Sequence, residues 1–494
     1  MSFDVETALK YYVTKTSKGA FEFKHNKATR LPIVPFITKL EAKDIEKLDF
    51  RSFDGYIGHC YRQMIQKELP AELEDANFKP GLKTAILKFI KNEVSTSDDL
   101  REKLLHVSES LFFNGPELIK FSVDAQAYLY WKRKDSGLEN IADFICKIFV
   151  NEHIAKLWQD KKGFPENIFQ QLLNQALPKL KERAAKQRRP DDPKDPEYHI
   201  VNPEIIALFR RDFEFLCKDK QSFLAESDLL FKFYYFFYIS QLAFSLNSFF
   251  QAGTGFTPLF FTIESETVSE NRQTVKKGWK MLEPRLINLM SHSVNLDMLN
   301  RLPLPEQPGG YDYSQLRELF KACNDKSADE LGAYIDELNS FYTSVVPVEK
   351  STWDDFQADF DRKTKSRPFS NDLEKKVIEL FHRIEFQFDY SSRKSKRQSF
   401  ANWFLFFCKE NFLKNRGRNG YSLNLSNEML IFLTKLCIGD KSKIRLNDLM
   451  QAFRDRGIHF DEASKRAILE IYEKINLIEK KSDSGDAQYI RQVL

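Results

Sequence analysis

From Leu229 to Phe250 the chain reads LLFKFYYFFYISQLAFSLNSFF, an almost unbroken run of large apolar side chains. A helical run of about 20 such residues has two physical solutions: it spans a bilayer, or it lies buried on nearly all sides inside a large domain. Lys232, Gln241 and Asn247 interrupt the run, and its Tyr and Phe rings are spread along it. An interfacial belt would gather those rings at the ends. The sequence therefore predicts a buried core helix and no membrane contact. Such a helix needs much protein around it, and the chain supplies this: 494 residues, 42% hydrophobic, with 45 Phe, 18 Tyr and 5 Trp. Gly and Pro, at only 18 each, disfavour a turn-rich all-β architecture. The expected class is mainly α: a multi-helical body with a few short strands.

The apolar spacing organises the rest. Ile86, Leu87, Ile90 and Val94 recur at helical intervals, as do Ile141, Ile145, Ile148 and Phe149, and Asn114-Gly115-Pro116 marks a turn. Arg188 to Pro196 is polar and broken by prolines, so no regular element can pass through it. Residues 1–188 are read as an N-terminal helical domain, 189–203 as a linker and 204–418 as an aromatic-rich helical domain. Within the last, Leu259 to Ile263 (LFFTI) reads as a buried strand, and Pro303 to Gly310 as a break.

Residues 419–494 are the most legible part. An apolar helix from Asn427 to Cys437 is closed by Gly439, and a short extended piece follows at Lys443 to Leu446. Asn447 then reads as an N-cap, with Leu449, Met450 and Phe453 on one face until Gly457. Asp461 caps a third helix, whose stripe holds Ala467, Ile468, Ile471, Tyr472 and Ile475. Two strands, 477–481 and 487–494, flank the turn residues 482–486. Helix, short strand, helix, helix, hairpin is the order of a winged-helix domain.

Chemistry is conspicuously sparse. There is no phosphate-cradling Gly-x-x-x-x-Gly-Lys-Ser/Thr, and Gly253-Thr254-Gly255 lacks the lysine and reads as a flexible turn. The 8 histidines never pair at metal-ligand spacing, and the 6 cysteines are scattered singly, as reduced core thiols are. No catalytic residue, metal ligand or cofactor is predicted. The N-terminus carries no export signal, which makes the cytoplasm the expected location. Metal-dependent nucleases require little sequence, so two acidic groups come into question: Asp461 with Glu479-Lys480-Lys481, and Glu264 with Glu266. The first lies in the expected wing and the second has no lysine at the right step. Solvated strand charges account for both.

One stretch points to a partner. Between Ser391 and Arg418, eight basic side chains stand against the single acid Glu410, a local net charge of +7 in a chain whose total is +4. Phe400, Trp403, Phe404, Phe406 and Phe407 separate two basic clusters, as if a buried aromatic helix were flanked by charged loops. Lys and Arg there would neutralise phosphates and release counterions. The predicted double-stranded DNA contacts are Arg393, Lys394, Lys396, Arg397, Lys414, Arg416 and Arg418, with Lys465 and Arg466 on the third C-terminal helix as groove reader. A solvated loop or an acidic protein partner would suit the same charges. The helix also exposes Glu462, Glu470 and Glu473, a mixed face equally suited to protein docking.

The chain resembles DptG (also called DndG), the G-component family of the bacterial restriction systems that depend on DNA phosphorothioation. The likeness is most specific in Phe460-Asp461 and from Leu477-Ile478-Glu479-Lys480-Lys481 through Gly485-Asp486-Ala487-Gln488-Tyr489-Ile490-Arg491, and length and aromatic helical body agree. The resemblance implies a subunit acting with DptF-like and DptH-like partners, which carry the ATP-driven functions, against DNA lacking the modification. It implies no catalytic residue. A diverged nuclease subunit and a purely protein-binding scaffold are the alternative expectations.

Overall fold

A computed structural model describes residues 5, 13–15, 21–23, 31–35, 50–70, 73, 78–115, 117–130, 136–161, 167–183, 197–251, 253, 255–266, 269, 272–480 and 488–493. The fold is mainly helical with a few short strands. The helices that matter below are α1 (Asp54–Met64), α2 (Asp98–Phe112), α3 (Pro203–Leu216), α4 (Lys220–Ser248), α5 (Trp279–Ile287), α6 (Leu289–Leu299), α7 (Asp372–Asp389), α8 (Lys394–Phe400), α9 (Asn402–Asn411), α10 (Asn427–Ile438), α11 (Leu446–Arg454) and α12 (Glu462–Lys474). The strands that matter below are β1 (Leu259–Phe260), β2 (Thr262–Ile263), β3 (Leu413–Asn415), β4 (Tyr421–Leu425), β5 (Lys443–Arg445), β6 (Ile458–His459), β7 (Ile478–Lys480) and β8 (Gln488–Arg491).

The aromatic run forms most of α4, which Asp219 caps by accepting from the Ser222 amide at 2.7 Å. This helix is long and apolar enough to cross a membrane by length and composition, yet 94% of its most apolar window is buried in protein. It packs against α1, α3, α5, α6 and α10. Each polar residue that interrupts the run has found a partner. Lys232 Nζ donates to the Arg51 carbonyl at 2.9 Å, Gln241 exchanges hydrogen bonds with the Thr257 backbone, and Asn247 donates to the Ala243 and Arg285 carbonyls. Burying each ring of this helix is worth about 1.5–3 kcal/mol, which is lost again wherever a polar group goes unmatched.

One connected set of buried apolar side chains runs from Val5 to Ile490, so the segments expected as separate domains share a core. The proline-punctuated stretch at 188–196 lies outside the described residues, as does the turn at 482–486.

LFFTI is two short strands rather than one. β1 pairs in parallel with β6, and β2 pairs in parallel with β4. Phe261 lies between them and donates its amide to the His459 carbonyl at 2.9 Å, so the segment changes partner there. It joins the C-terminal elements on one side to the β3–β4 hairpin on the other.

The last elements run α10, β5, α11, β6, α12, β7, β8, the expected order with the short strand β6 added between the second and third helices, and β8 lies between β5 and β7, antiparallel to both. Asp461 caps α12 by accepting from the Ser464 amide at 3.0 Å. Asn447 is not a cap, because α11 begins at Leu446 and places it within the first turn. Gly457 ends the α11 segment at φ 71°, where an added Cβ would meet Phe237 Cε2 at 2.6 Å. Only glycine satisfies both the backbone and the approach to α4.

Candidate nucleic-acid interface

The basic stretch folds into α8, α9 and the β3–β4 hairpin, and the structure divides its charges into two classes. Arg397, on α8, points inward and is only 7% exposed. It donates to Glu385 Oε1 at 2.6 Å, Asp389 Oδ1 at 2.8 Å and Asn288 Oδ1 at 2.6 Å. Burial pushes the Glu385 carboxyl up, but His382, Arg397 and Lys363 outweigh it and hold the group down at about 2. The sequence predicts that Arg397 meets phosphate; it is already neutralised by α7. Arg393 is half-buried over the Phe388 ring at 4.6 Å and donates to Gln387 Oε1, and burial lowers its guanidinium to about 10.

The hairpin shows the same inward use. Arg416 donates to the Glu266 carbonyl at 2.6 Å, Thr262 Oγ1 at 2.9 Å, Asn424 Oδ1 at 3.1 Å and Ser422 Oγ at 3.2 Å. Lys414 Nζ donates to the Glu264 carbonyl at 2.6 Å. A guanidinium fork matches several fixed oxygens at once, so Arg416 ties β3 and β4 to the end of β2. These two residues hold the hairpin and are occupied in doing so.

The outward class is Lys394, Lys396 and Arg418, all exposed and without a charge partner among the described residues. Lys394 and Lys396 lie on α8, before α9, and Arg418 lies in the β3–β4 turn beyond it. Exposed Lys409 holds its ammonium 5.7 Å from the centroid of the Tyr421 ring. The acid of the stretch, Glu410, is taken by Arg51 at 2.5 Å. The face therefore keeps positive charge, carried by fewer residues than the sequence count implied.

Helix α12 departs further from expectation. A groove-reading helix enters DNA by its N-terminal residues. Here that end is packed on the body. Arg272 Nε and Nη2 donate to the two Asp461 carboxylate oxygens at 2.9 and 2.6 Å, and Ser464 Oγ donates to the Phe261 carbonyl at 3.1 Å. A second tie lies behind it: buried Arg456 donates to both oxygens of buried Asp212 at 2.9 and 2.7 Å, and Tyr234 of α4 donates to the same carboxylate at 2.6 Å. Lys465 pairs with Glu462 at 2.6 Å, and Arg466 is exposed. These contacts occupy the leading turn of α12, the end by which a groove-reading helix would enter.

The nuclease candidates rearrange as well. Asp461 does not meet Glu479, which pairs with Lys443 and Arg491. It faces Glu266 instead, and Arg272 stands between the two carboxylates, 2.5 Å from Glu266 Oε2 and 2.6 Å from Asp461 Oδ1. The place a divalent cation would take between these acids is filled by a guanidinium. No group of three or more metal-ligating side chains occurs among the described residues. A polar cavity of about 260 Å³ is lined by His59, Arg62, Gln63, Glu139, Asp143 and Arg183, among others. His59 Nε2 lies 2.7 Å from Asp143 Oδ1 there, but no serine, threonine or cysteine is among the described residues that line the cavity for this pair to activate.

Sequence reasoning missed Arg272, Asp212 and Arg456, whose partners lie hundreds of residues away, and it passed over Tyr421. For Tyr421 a signal existed: an aromatic directly after the glycine-bracketed Gly417-Arg418-Asn419-Gly420. No family model and no curated protein matches the chain.

Proposed function

We propose that the chain is a DNA-binding adaptor subunit of a bacterial phosphorothioation-dependent restriction complex. In this reading it acts in the cytoplasm with DptF-like and DptH-like partners on double-stranded DNA that lacks the modification, and supplies no catalytic centre of its own. The observation that carries the DNA half is the face holding Lys394, Lys396 and Arg418, which are exposed and unopposed by carboxylates among the described residues. Phosphate contacts of this kind supply affinity without sequence information, which suits a subunit that engages any unmodified duplex. The resemblance of the C-terminal segment to the G-component family supplies the biological setting, and the three-stranded sheet of β5, β8 and β7 supports reading the last elements as a winged helix.

Replacing Lys394, Lys396 and Arg418 together by Ala should weaken duplex binding and flatten the plot of log K against log salt. Each phosphate that is no longer neutralised should lower the slope by about 0.9. Fluorescence anisotropy at several salt concentrations measures both quantities. An unchanged slope sinks the DNA half of the reading.

A second reading, a scaffold that binds only proteins, is favoured by helix α2. Leu100, Val107 and Leu111 project from it at 56, 44 and 51% exposure, with Leu104 half-buried on the same stripe. Exposed apolar stripes of this kind mark protein contacts. Stable co-purification of partners combined with failure to shift duplex DNA at low salt would select it.

A further inference from the structure

The turn between β3 and β4 offers something a phosphate-binding face does not need. Tyr421, the first residue of β4, leaves its side chain 38% exposed while the next four residues of the strand are buried. Gly417 and Gly420 bracket Arg418 at φ 62° and 73°, and a Cβ at either would meet nothing within 4 Å. The apex is therefore bare on both sides of Arg418 and open to close approach. It is also held in place. The Arg416 amide donates to the Gly420 carbonyl at 2.8 Å, the Gly417 amide to Asn415 Oδ1 at 2.9 Å, and the Arg416 side chain bonds the neighbouring strand as described above. A partly exposed aromatic ring thus stands with a lysine ammonium over it and Arg418 three positions earlier in the same turn.

We infer that this tip holds an unpaired nucleotide of a DNA strand, its base stacked on Tyr421 and its flanking phosphates met by Lys409 and Arg418. A ring can stack on a base only where the base face is open, which a continuous duplex does not offer and a frayed end, nick or melted stretch does. Every base has such a face, so the contact is indifferent to sequence, in keeping with the phosphate contacts around it. Arg416 is the positioning residue: it touches no nucleotide and fixes the turn that presents Arg418 and Tyr421. Glu264 is the acidic side chain to weigh against the site. It is exposed beyond β2, and its backbone carbonyl is bound by Lys414, so charge at the tip remains in favour of the cations. The inference rests on the DNA reading proposed above and deepens it by naming the form of DNA engaged.

The full chain would be titrated by anisotropy with a labelled oligothymidine of about a dozen nucleotides, and with a duplex closed at both ends by hairpin loops held outside the footprint. Tyr421→Ala should weaken oligothymidine binding about tenfold and leave the closed duplex within twofold, whereas Tyr421→Phe should match the wild type on both. Arg418→Ala should lower the salt slope for the oligothymidine by about 0.7. Because Tyr421 is partly exposed and at a strand end, the Phe variant also guards against a trivial loss of fold. Wild-type affinity of Tyr421→Ala for oligothymidine, with duplex binding intact, overturns the stacking site and leaves the DNA reading standing. Equal losses on both DNAs overturn it too, since they make the turn an ordinary phosphate contact. If the wild type binds neither DNA, the site and the DNA reading fall together.

Discussion

A charge count says how much positive side chain a segment carries and nothing about where each cation ends. Arg397 and Lys396 are neighbours in sequence, yet one is buried between Glu385, Asp389 and Asn288 and the other faces water. The acids that claim Arg397 lie on the preceding helix, across a bend, beyond the spacing at which local pairs are legible. The cysteines and the Asp461 cap were readable because their environments are set by adjacent residues. Removing one partner of a buried ion pair strands the others, at a cost of about 3–5 kcal/mol, whereas an exposed, unpartnered lysine costs less than about 0.5. Arg397→Ala should therefore lower the unfolding free energy in denaturant titrations by several kcal/mol, and Lys396→Ala should leave it nearly unchanged. The pH dependence follows the same pair. Glu385 is held down at about 2 from an ordinary 4.5, so its contribution is present above the ordinary value and fades as pH falls toward the lower one. Arg397→Ala should shrink that acid-side loss. A variant as stable as the wild type, with the same acid profile, would return Arg397 to the candidate DNA contacts.

Elements were legible where one physical demand dominated. Helix α4 was foreseen because its apolar surface goes all the way round and its few polar residues are too many for lipid. Those residues proved to be the ones bonded to neighbouring backbone. LFFTI was foreseen as buried and extended but not as two strands, since a change of partner at Phe261 depends on segments about 160 and 200 residues later. The two glycine settings differ in the same way. Gly417 and Gly457 both have positive φ, but space is open around the first and closed by Phe237 at the second. Ala at Gly417 should cost about 1 kcal/mol, the backbone penalty alone. Ala at Gly457 should cost clearly more, because the new Cβ must displace a ring of the central helix. Thermal unfolding of the two variants gives the ranking directly, and equal shifts would mean that the α11 turn relaxes away from α4 freely.

At the scale of the whole molecule the decisive fact is how the C-terminal elements are attached. Two arginine forks, Arg272 on Asp461 and Arg456 on Asp212, join them to the body along with the parallel pairing of β1 and β6. None of this could be read beforehand: each tie crosses roughly 190 to 250 positions, and a sequence of element types carries no information about which end of a helix is covered. The order helix, strand, helix, helix, hairpin was legible, while the orientation that decides its use was not. With the leading turn of α12 bonded to Arg272 and to the Phe261 carbonyl, the helix cannot lead into a groove unless both forks and the β-pairing are broken, and the Arg456 fork is fully desolvated. DNA engagement should then depend on the α8 to β4 face and be indifferent to α12. Reversing charge at Lys465 and Arg466 together (K465E with R466E) should change duplex affinity by no more than about twofold, small beside the loss from Lys394, Lys396 and Arg418, because charges off the contact surface act only through screened long-range potential at about 0.15 M salt. Side-by-side titrations of the two variants decide it. A loss from the α12 pair as large as that from the other three would mean that the C-terminal elements detach from the body to bind, and that the attachment described here is the resting arrangement of a movable reader.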